Sequence, residues 1–481
     1  MAAPAHPEKS SPKYRVYRRR WIMLALFMAF GFMSTSQWVQ YSIIANIVMR
    51  YYNVSSYAVD WTSILFMAVY IPLVFPATYF FDKLGLRKGL LVGVALMAVG
   101  TWIKCGSAEP SRYAVTLTGQ TFVGMSQAFL LSVPPHIAST WFGSDEVSTA
   151  CSLGILGLQL GVAASFLAPS MMVGNHENLD DVGRDLARMF YIVAGVCTAL
   201  LLLTAFLFQE KPPLPPSVEA LLHKGQSKTD FRASLRRLFR SRNFLALMIT
   251  YGFNLSVFNA FSTLLNQLIL IYFAEGQELA GRVGLVFVTS GMIGSVICGV
   301  FLDKTHRFRE SIVAIYVLST ALLLVLTFIM ALKSELLVYL VGGAFGTFMG
   351  GYMTVSFEYG VELTYPECES TMAGMLLLSS QVMSVFITML YGWLLNEAGD
   401  VWANVALTAF MAAGTVITAL IRPDLRRQAA HAAAAPDSPA PAHTTLAGAE
   451  AAATDADADA EADPADGEAD ALPEAVKLVQ A

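Results

Sequence analysis

The residues best placed for chemistry in this chain are an indole flanked by two amides. Gln37, Trp38 and Gln40 lie in GFMSTSQWVQYSIIANIV, which begins at Gly31 and is otherwise apolar enough to cross a bilayer. An unpaired polar group in that medium costs several kcal/mol, so these side chains point to a use. A quaternary ammonium cannot donate a strong hydrogen bond and is recognised by aromatic faces, at about 2 kcal/mol or more per contact once water is excluded. Trp38 suits that role. At least one of the flanking amides is then read as bonding a neighbouring helix, which holds that face in place.

Polar residues recur at matching places along the chain. Trp38 and Asn259 are 221 residues apart, and Gln159 in LGLQLG precedes Gln381 in LSSQVMS by 222. At 1.5 Å per residue each glutamine lies about 15 Å into its apolar run, near a bilayer midplane. Two parallel repeats about an axis along the membrane normal would gather all four around one cavity. The loops TYFFDKLGLRK and GVFLDKTHRFR share one order of acid and bases, with Asp82 and Asp303 again 221 apart. They resemble a cytoplasmic loop motif of the major facilitator superfamily. With Arg87 and Arg309 they are read as a conformational latch, a carboxylate at a helix end facing cations. Glu358 and Glu362, four apart on one helix face, are read as a gate. Asp60, Glu358, Glu362 and His136 all fall toward ends of apolar runs, and the lack of an ionisable group deep in the membrane predicts facilitated diffusion.

Other chemistries find no support. No nucleophile with a base, no P-loop and no metal-ligand spacing is present, so no enzyme, cofactor or metal is predicted, and nothing points to nucleic acid. The five cysteines are scattered and read as small buried hydrophobes rather than a disulfide framework.

The elements that position these residues are long apolar runs. With 55% hydrophobic and 14% charged residues and a mean hydropathy of +0.54, the chain reads as an all-α integral membrane protein. Twelve runs fall near 21–49, 60–80, 89–106, 113–141, 149–173, 188–208, 243–273, 281–302, 311–332, 336–364, 371–396 and 401–421. Taken as one helix, the first puts Trp38 about 25 Å beyond Trp21, with Gln37 and Gln40 at about −100° and +200° from it. The first run is too long for a signal peptide and is expected to be a span. The organisation predicted is a basic N-terminus (1–20), a six-helix bundle (21–208), a linker (209–242), a second six-helix bundle (243–421) and an acidic tail (422–481).

Only seven of the 31 lysines and arginines, Arg50, Lys104, Arg112, Arg184, Arg188, Arg282 and Lys333, fall on the face opposite the termini. The excess of basic residues predicts cytoplasmic termini and leaves the Asn53 sequon outside as a glycan acceptor. From His431 the tail carries eleven acidic residues and one lysine, a composition too poor in apolar surface to fold.

Longer stretches resemble the feline leukaemia virus subgroup C receptor-related (FLVCR) family of the major facilitator superfamily: QWVQYSIIANI, WIKCGS, WFGSDEVSTACS, STLLNQ, AGRVGL, FEYGVELTYPECE and LIRPDLRRQ. The resemblance runs from about residue 18 to residue 428. It implies a 6+6 pseudo-symmetric major facilitator fold and transport of choline and ethanolamine, with haem export as an alternative. It also implies that aromatic faces of spans 1 and 7 and glutamines of spans 5 and 11 approach the substrate, at Trp38, Asn259, Gln159 and Gln381. The family's tyrosine is replaced by Asn259, and an expected arginine by His136. Phe258 or Phe261 is then a candidate second wall, although Phe258 is about 100° from Asn259 on a helix. Haem would want an axial ligand, for which His136 is the one histidine within a span. A non-transporting receptor using the acidic tail is a third possibility. The whole reads as a monomeric carrier in the lipid bilayer of the plasma membrane.

Overall fold

The computed structural model describes residues 16–131, 133–143, 146–214, 216, 231–274, 276–305, 307–365, 367 and 369–422. Most of the linker and nearly all of the acidic tail lie outside the described residues. The regular structure described is helical throughout.

The first half comprises α1 (Arg19–Thr35), a 3-10 turn (Ser42–Ile44), α2 (Ala45–Tyr52), α3 (Ser56–Leu84), α4 (Leu86–Cys105), α5 (Tyr113–Leu130), α6 (Pro134–Trp141), α7 (Val147–Met172) and α8 (Leu179–Leu207). The short α9 (Phe231–Arg240) leads into the second half. That half comprises α10 (Arg242–Tyr272), α11 (Gln277–Thr305), α12 (Phe308–Met330), α13 (Glu335–Thr364), α14 (Glu369–Glu397) and α15 (Asp400–Leu420). Ten of these helices are long and apolar enough to cross a membrane. Outward apolar side chains such as Phe206 and Leu420 give the chain the lipid-facing surface of an integral membrane protein.

The other two apolar runs are interrupted, contrary to the continuous helices expected over 21–49 and 113–141. In the first, the Thr35 hydroxyl shares its one hydrogen between Gly31 O at 2.8 Å and Leu158 O at 2.7 Å. Ser36 Oγ and Gln37 Nε2 both bond back to Met33 O, at 3.1 and 2.9 Å. Three successive side chains thus compete for carbonyls at the helix end, and α1 stops after 17 residues. In the second, Pro134 and Pro135 supply no N–H, so the chain breaks after α5 and restarts with proline in the first turn of α6.

Small residues set the closest helix contacts. A Cβ on Gly294 would lie 2.0 Å from Thr347 O, and one on Gly350 would lie 2.1 Å from Gly291 O, so α11 and α13 pack backbone to backbone. The halves meet along α7 against α11 and α3 against α14. The hydrogen bonds described between them all lie toward the face opposite the chain termini. Gln267 Nε2 donates to Asp60 Oδ1 at 2.7 Å, Ser56 Oγ to Asn396 Oδ1 at 3.2 Å, and Gln277 Nε2 to Val173 O at 3.1 Å. At the same level Gly281 and Gly284 leave room for Ser170 and Phe166. The seam is therefore closed on that face.

Candidate substrate site at the interrupted first span

Trp38 lies in the interruption, between the end of α1 and the 3-10 turn, rather than on a helix face. Its ring is 6.3 Å from that of Phe258 on α10, with 17° between the planes. Phe258 is braced from behind by Phe287 of α11 at 5.1 Å, whereas Phe261 packs on Phe287 and Phe345 inside the second half. The aromatic pair therefore spans the two halves through Phe258. Carbon contacts on two sides need about 3.5 Å each, which already exceeds the 6.3 Å gap. An ammonium must then lie beside the pair, or the rings must part.

Asn259 is turned to its own half: its Nδ2 donates to Ser384 Oγ of α14 at 2.8 Å. Gln381 is three residues before Ser384 and so shares its face. Gln381 is 7% exposed and its Oε1 has no partner, a buried acceptor left for a ligand or water. Thr388, one turn beyond Ser384, also carries a buried unpartnered hydroxyl. Asn259, Ser384 and Gln381 thus form one polar neighbourhood between α10 and α14. Gln159 lies half-buried on α7, the helix that packs on the 3-10 turn and on α11.

The two amides that flank Trp38 have different surroundings. Gln37 is fully buried. Its Oε1 accepts from Lys104 Nζ at 2.6 Å, and its main-chain oxygen accepts from Gln120 Nε2 at 2.8 Å. The Trp38 carbonyl is met by Ser63 Oγ at 3.1 Å. Gln40 is buried beside them. Lys104, which sequence reading counts among the loop charges, is 2% exposed. Nothing in its apolar surroundings marks it, except that it stands in an otherwise uncharged last turn of α4.

On the face of the chain termini, Glu210 caps α4, accepting from Leu86 N at 2.7 Å and Arg87 N at 2.8 Å. The turn requires Gly85, which has φ +85° and sits where a Cβ would strike the Glu210 carboxylate. Arg87 Nη2 donates to Ala205 O at 2.9 Å, and Arg309 Nη2 to Ala419 O at 2.7 Å. Each arginine thereby ties its loop to the last helix of its own half, at a helix C-terminus where a cation is favoured. The side chains of Asp82 and Asp303 lie outside the described residues. Arg237 of α9 pairs with Glu367 between α13 and α14, and its guanidinium holds that carboxyl below its ordinary range. Glu358 is exposed and Glu362 buried on the last turns of α13. His136 is exposed, edge-on to Phe81 with centroids 6.4 Å apart. Among the described residues no group of His, Cys, Asp and Glu could hold a metal ion.

A family model described as Major Facilitator Superfamily matches residues 22–388. The zebrafish "Choline/ethanolamine transporter flvcr2b" is 43% identical, covering 88% of this chain and 87% of that protein. Human "Choline/ethanolamine transporter FLVCR2" is 41% identical, with 87% and 80% covered. Feline "Choline/ethanolamine transporter FLVCR1" is 39% identical, with 88% and 76% covered. Among solved structures, a bacterial homologue of the human lysosomal transporter Spinster superposes with a TM-score of 0.67 at 13% identity, covering 85% of this chain and 97% of that one. The E. coli fucose:proton symporter FucP gives 0.58 at 16% identity, covering 84% and 100%. The interrupted first span, the two packed halves and these matches together make the chain a transporter of the major facilitator superfamily, a member of its FLVCR family.

Proposed function

We propose that the protein carries choline, ethanolamine or both across its membrane by alternating access, as a facilitative uniporter. The observation that carries this reading is Trp38 on an interrupted helix, facing Phe258 across the seam between the halves. Interrupted helices bring unwound backbone to substrate sites in secondary transporters, and an aromatic face suits an alkylammonium. The relatives named as choline/ethanolamine transporters support the same substrate class.

In this reading Trp38 and Phe258 meet the cationic head, while Gln381, with its unpartnered buried oxygen, and Gln159 meet the hydroxyl. Asn259 orders Ser384 beside them. Arg87 and Arg309, with Asp82 and Asp303, form the latch on the face of the termini, and Glu358 and Glu362 form its gate. That face is cytoplasmic, the membrane is the plasma membrane, and the carrier works as a monomer with residues 209–242 linking its two bundles and 422–481 as a tail. The seam closed by Asp60 and Gln267 then shuts the outer side.

The test is uptake of labelled choline, ethanolamine and haem by cells lacking their own carriers, with Trp38→Ala in parallel. Choline or ethanolamine uptake that falls about tenfold in the variant, a loss of about 1.4 kcal/mol, is the expected result, with Trp38→Phe retaining part. Undiminished uptake by a well-expressed Trp38→Ala protein refutes the site. Haem movement without amine movement refutes the substrate.

A further inference from the structure

Among the described residues Lys104 is the one lysine or arginine that is buried. It enters none of the described ion pairs. Its Nζ donates to Gln37 Oε1 at 2.6 Å and to Gln120 Oε1 at 3.0 Å, and it stands 5.9 Å from the centroid of the Tyr41 ring. Two amide oxygens and an aromatic face thus surround a group with three donors and no acceptor.

That chemistry decides how both amides are turned. An ammonium can only donate, so each glutamine must present oxygen to it and send its NH2 group the other way. Both NH2 groups then reach main-chain carbonyls at the interruption: Gln37 Nε2 bonds Met33 O at 2.9 Å, and Gln120 Nε2 bonds Gln37 O at 2.8 Å. A helix end leaves its carbonyls without intrahelical donors, and in a membrane each one left unpaired is costly. One cation therefore orients two amides, and the two amides satisfy the backbone on either side of Ser36, immediately before Trp38.

The packing around the lysine is built for it. A Cβ on Gly119 would lie 2.5 Å from Lys104 Cγ, so the lysine stem crosses α5 where α5 has no side chain. The next residue along α5 is Gln120.

We propose that Lys104 is a positioning residue of the substrate site: through Gln37 and Gln120 its ammonium fixes the interrupted stretch of the first span, and so the aim of the Trp38 ring, without touching the substrate. This rests on Trp38 being the cation's aromatic wall. Lys104 adds no contact to the substrate, so its loss acts only through that ring.

The experiment is a double-mutant cycle of choline binding to purified full-length protein, using the parent, Trp38→Ala, Lys104→Met and the combined variant. Lys104→Met is expected to weaken binding about tenfold, and the combined variant to bind no more weakly than Trp38→Ala alone. A lysine that merely supports the bundle would give losses that multiply, and that result overturns the positioning role. So does parental affinity in Lys104→Met when Trp38→Ala is impaired, an outcome that leaves the Trp38 reading standing. Parental affinity in Trp38→Ala overturns that reading and the present one with it. If Lys104→Met does not fold, Gln120→Met takes its place in the same cycle. It removes one acceptor of the ammonium and the donor to Gln37 O, and the same non-additivity with Trp38→Ala is expected. Multiplying losses or parental affinity there overturn the role in the same way.

Discussion

Asp60 should govern how often the closed face opens. It lies in the second turn of α3, 3% exposed, and accepts from Gln267 Nε2 of α10 at 2.7 Å. Its other oxygen would stand 3.1 Å from a Cβ on Gly392 of α14, so the carboxylate is wedged between the halves. A hydrogen bond to a charged group contributes about 1.5 to 3 kcal/mol. Burying that charge works against the bond, which favours the lower figure. Asp60→Ala removes the acceptor and leaves the Gln267 amide unpaired in the closed state, so opening at this face should become about 10-fold to 150-fold more frequent. Asp60→Asn keeps an acceptor and should fall between. The readout is a cysteine at Ser170, which is 6% exposed and faces Gly281 across the α7 and α11 contact. Its rate of modification by a membrane-impermeant methanethiosulfonate, applied from the face opposite the termini, should rise by that factor in the Asp60→Ala background, relative to chains lacking Ser170→Cys. An unchanged or slower rate at equal expression would refute the idea that this carboxylate holds the seam.

Phe258→Ala should weaken choline binding about fivefold to tenfold, because it removes the ring facing Trp38; parental affinity would leave Trp38 as the sole aromatic wall. Choline uptake should change little when sodium is replaced or the proton gradient dissipated with the membrane potential clamped, since the acids of the described helices lie toward helix ends; abolition by either treatment rules out uniport. Truncation after Gln428 should leave uptake per surface molecule unchanged, because an acidic segment poor in apolar residues adds nothing to a membrane cavity; a large loss at equal surface expression would refute this.

The fold was readable because hydrophobic length and loop charge are local, additive signals. Runs of about 20 apolar residues fall where α3, α4, α7, α8 and α10 to α15 are found, and the 221-residue offset between Asp82 and Asp303 reports two similar halves. What could not be read was where a helix yields. The run from Trp21 to Val48 carries polar residues from Ser34 to Gln40, but that they break the helix depends on Thr35, Ser36 and Gln37 bonding backward and on Leu158 O of α7 accepting from Thr35. The last of these partners is more than a hundred residues away. Proline gives a plainer warning, and Pro134-Pro135 does end a helix. Yet Pro72, Pro76 and Pro169 sit inside α3 and α7 without ending them, so proline alone does not locate an interruption.

Lys104 is inconspicuous in the sequence for a similar reason, whereas Trp38 is not. Trp38 stands out because an indole between amides is unusual in an apolar run. A lysine near a helix end is ordinary, since its long stem lets it reach the interface. Lys104 is drawn inward because Gln37 of the interrupted first span and Gln120 of α5 turn their oxygens to its ammonium, and because Gly119 leaves the path open. Lys104 does not lie in the first span or next to Trp38 in sequence. Only the packing of α4 and α5 against the interruption brings the cation, the two amides and the ring into one unit. A substitution anywhere in that unit should therefore be felt at Trp38, whereas the same change at the exposed Lys333 should not.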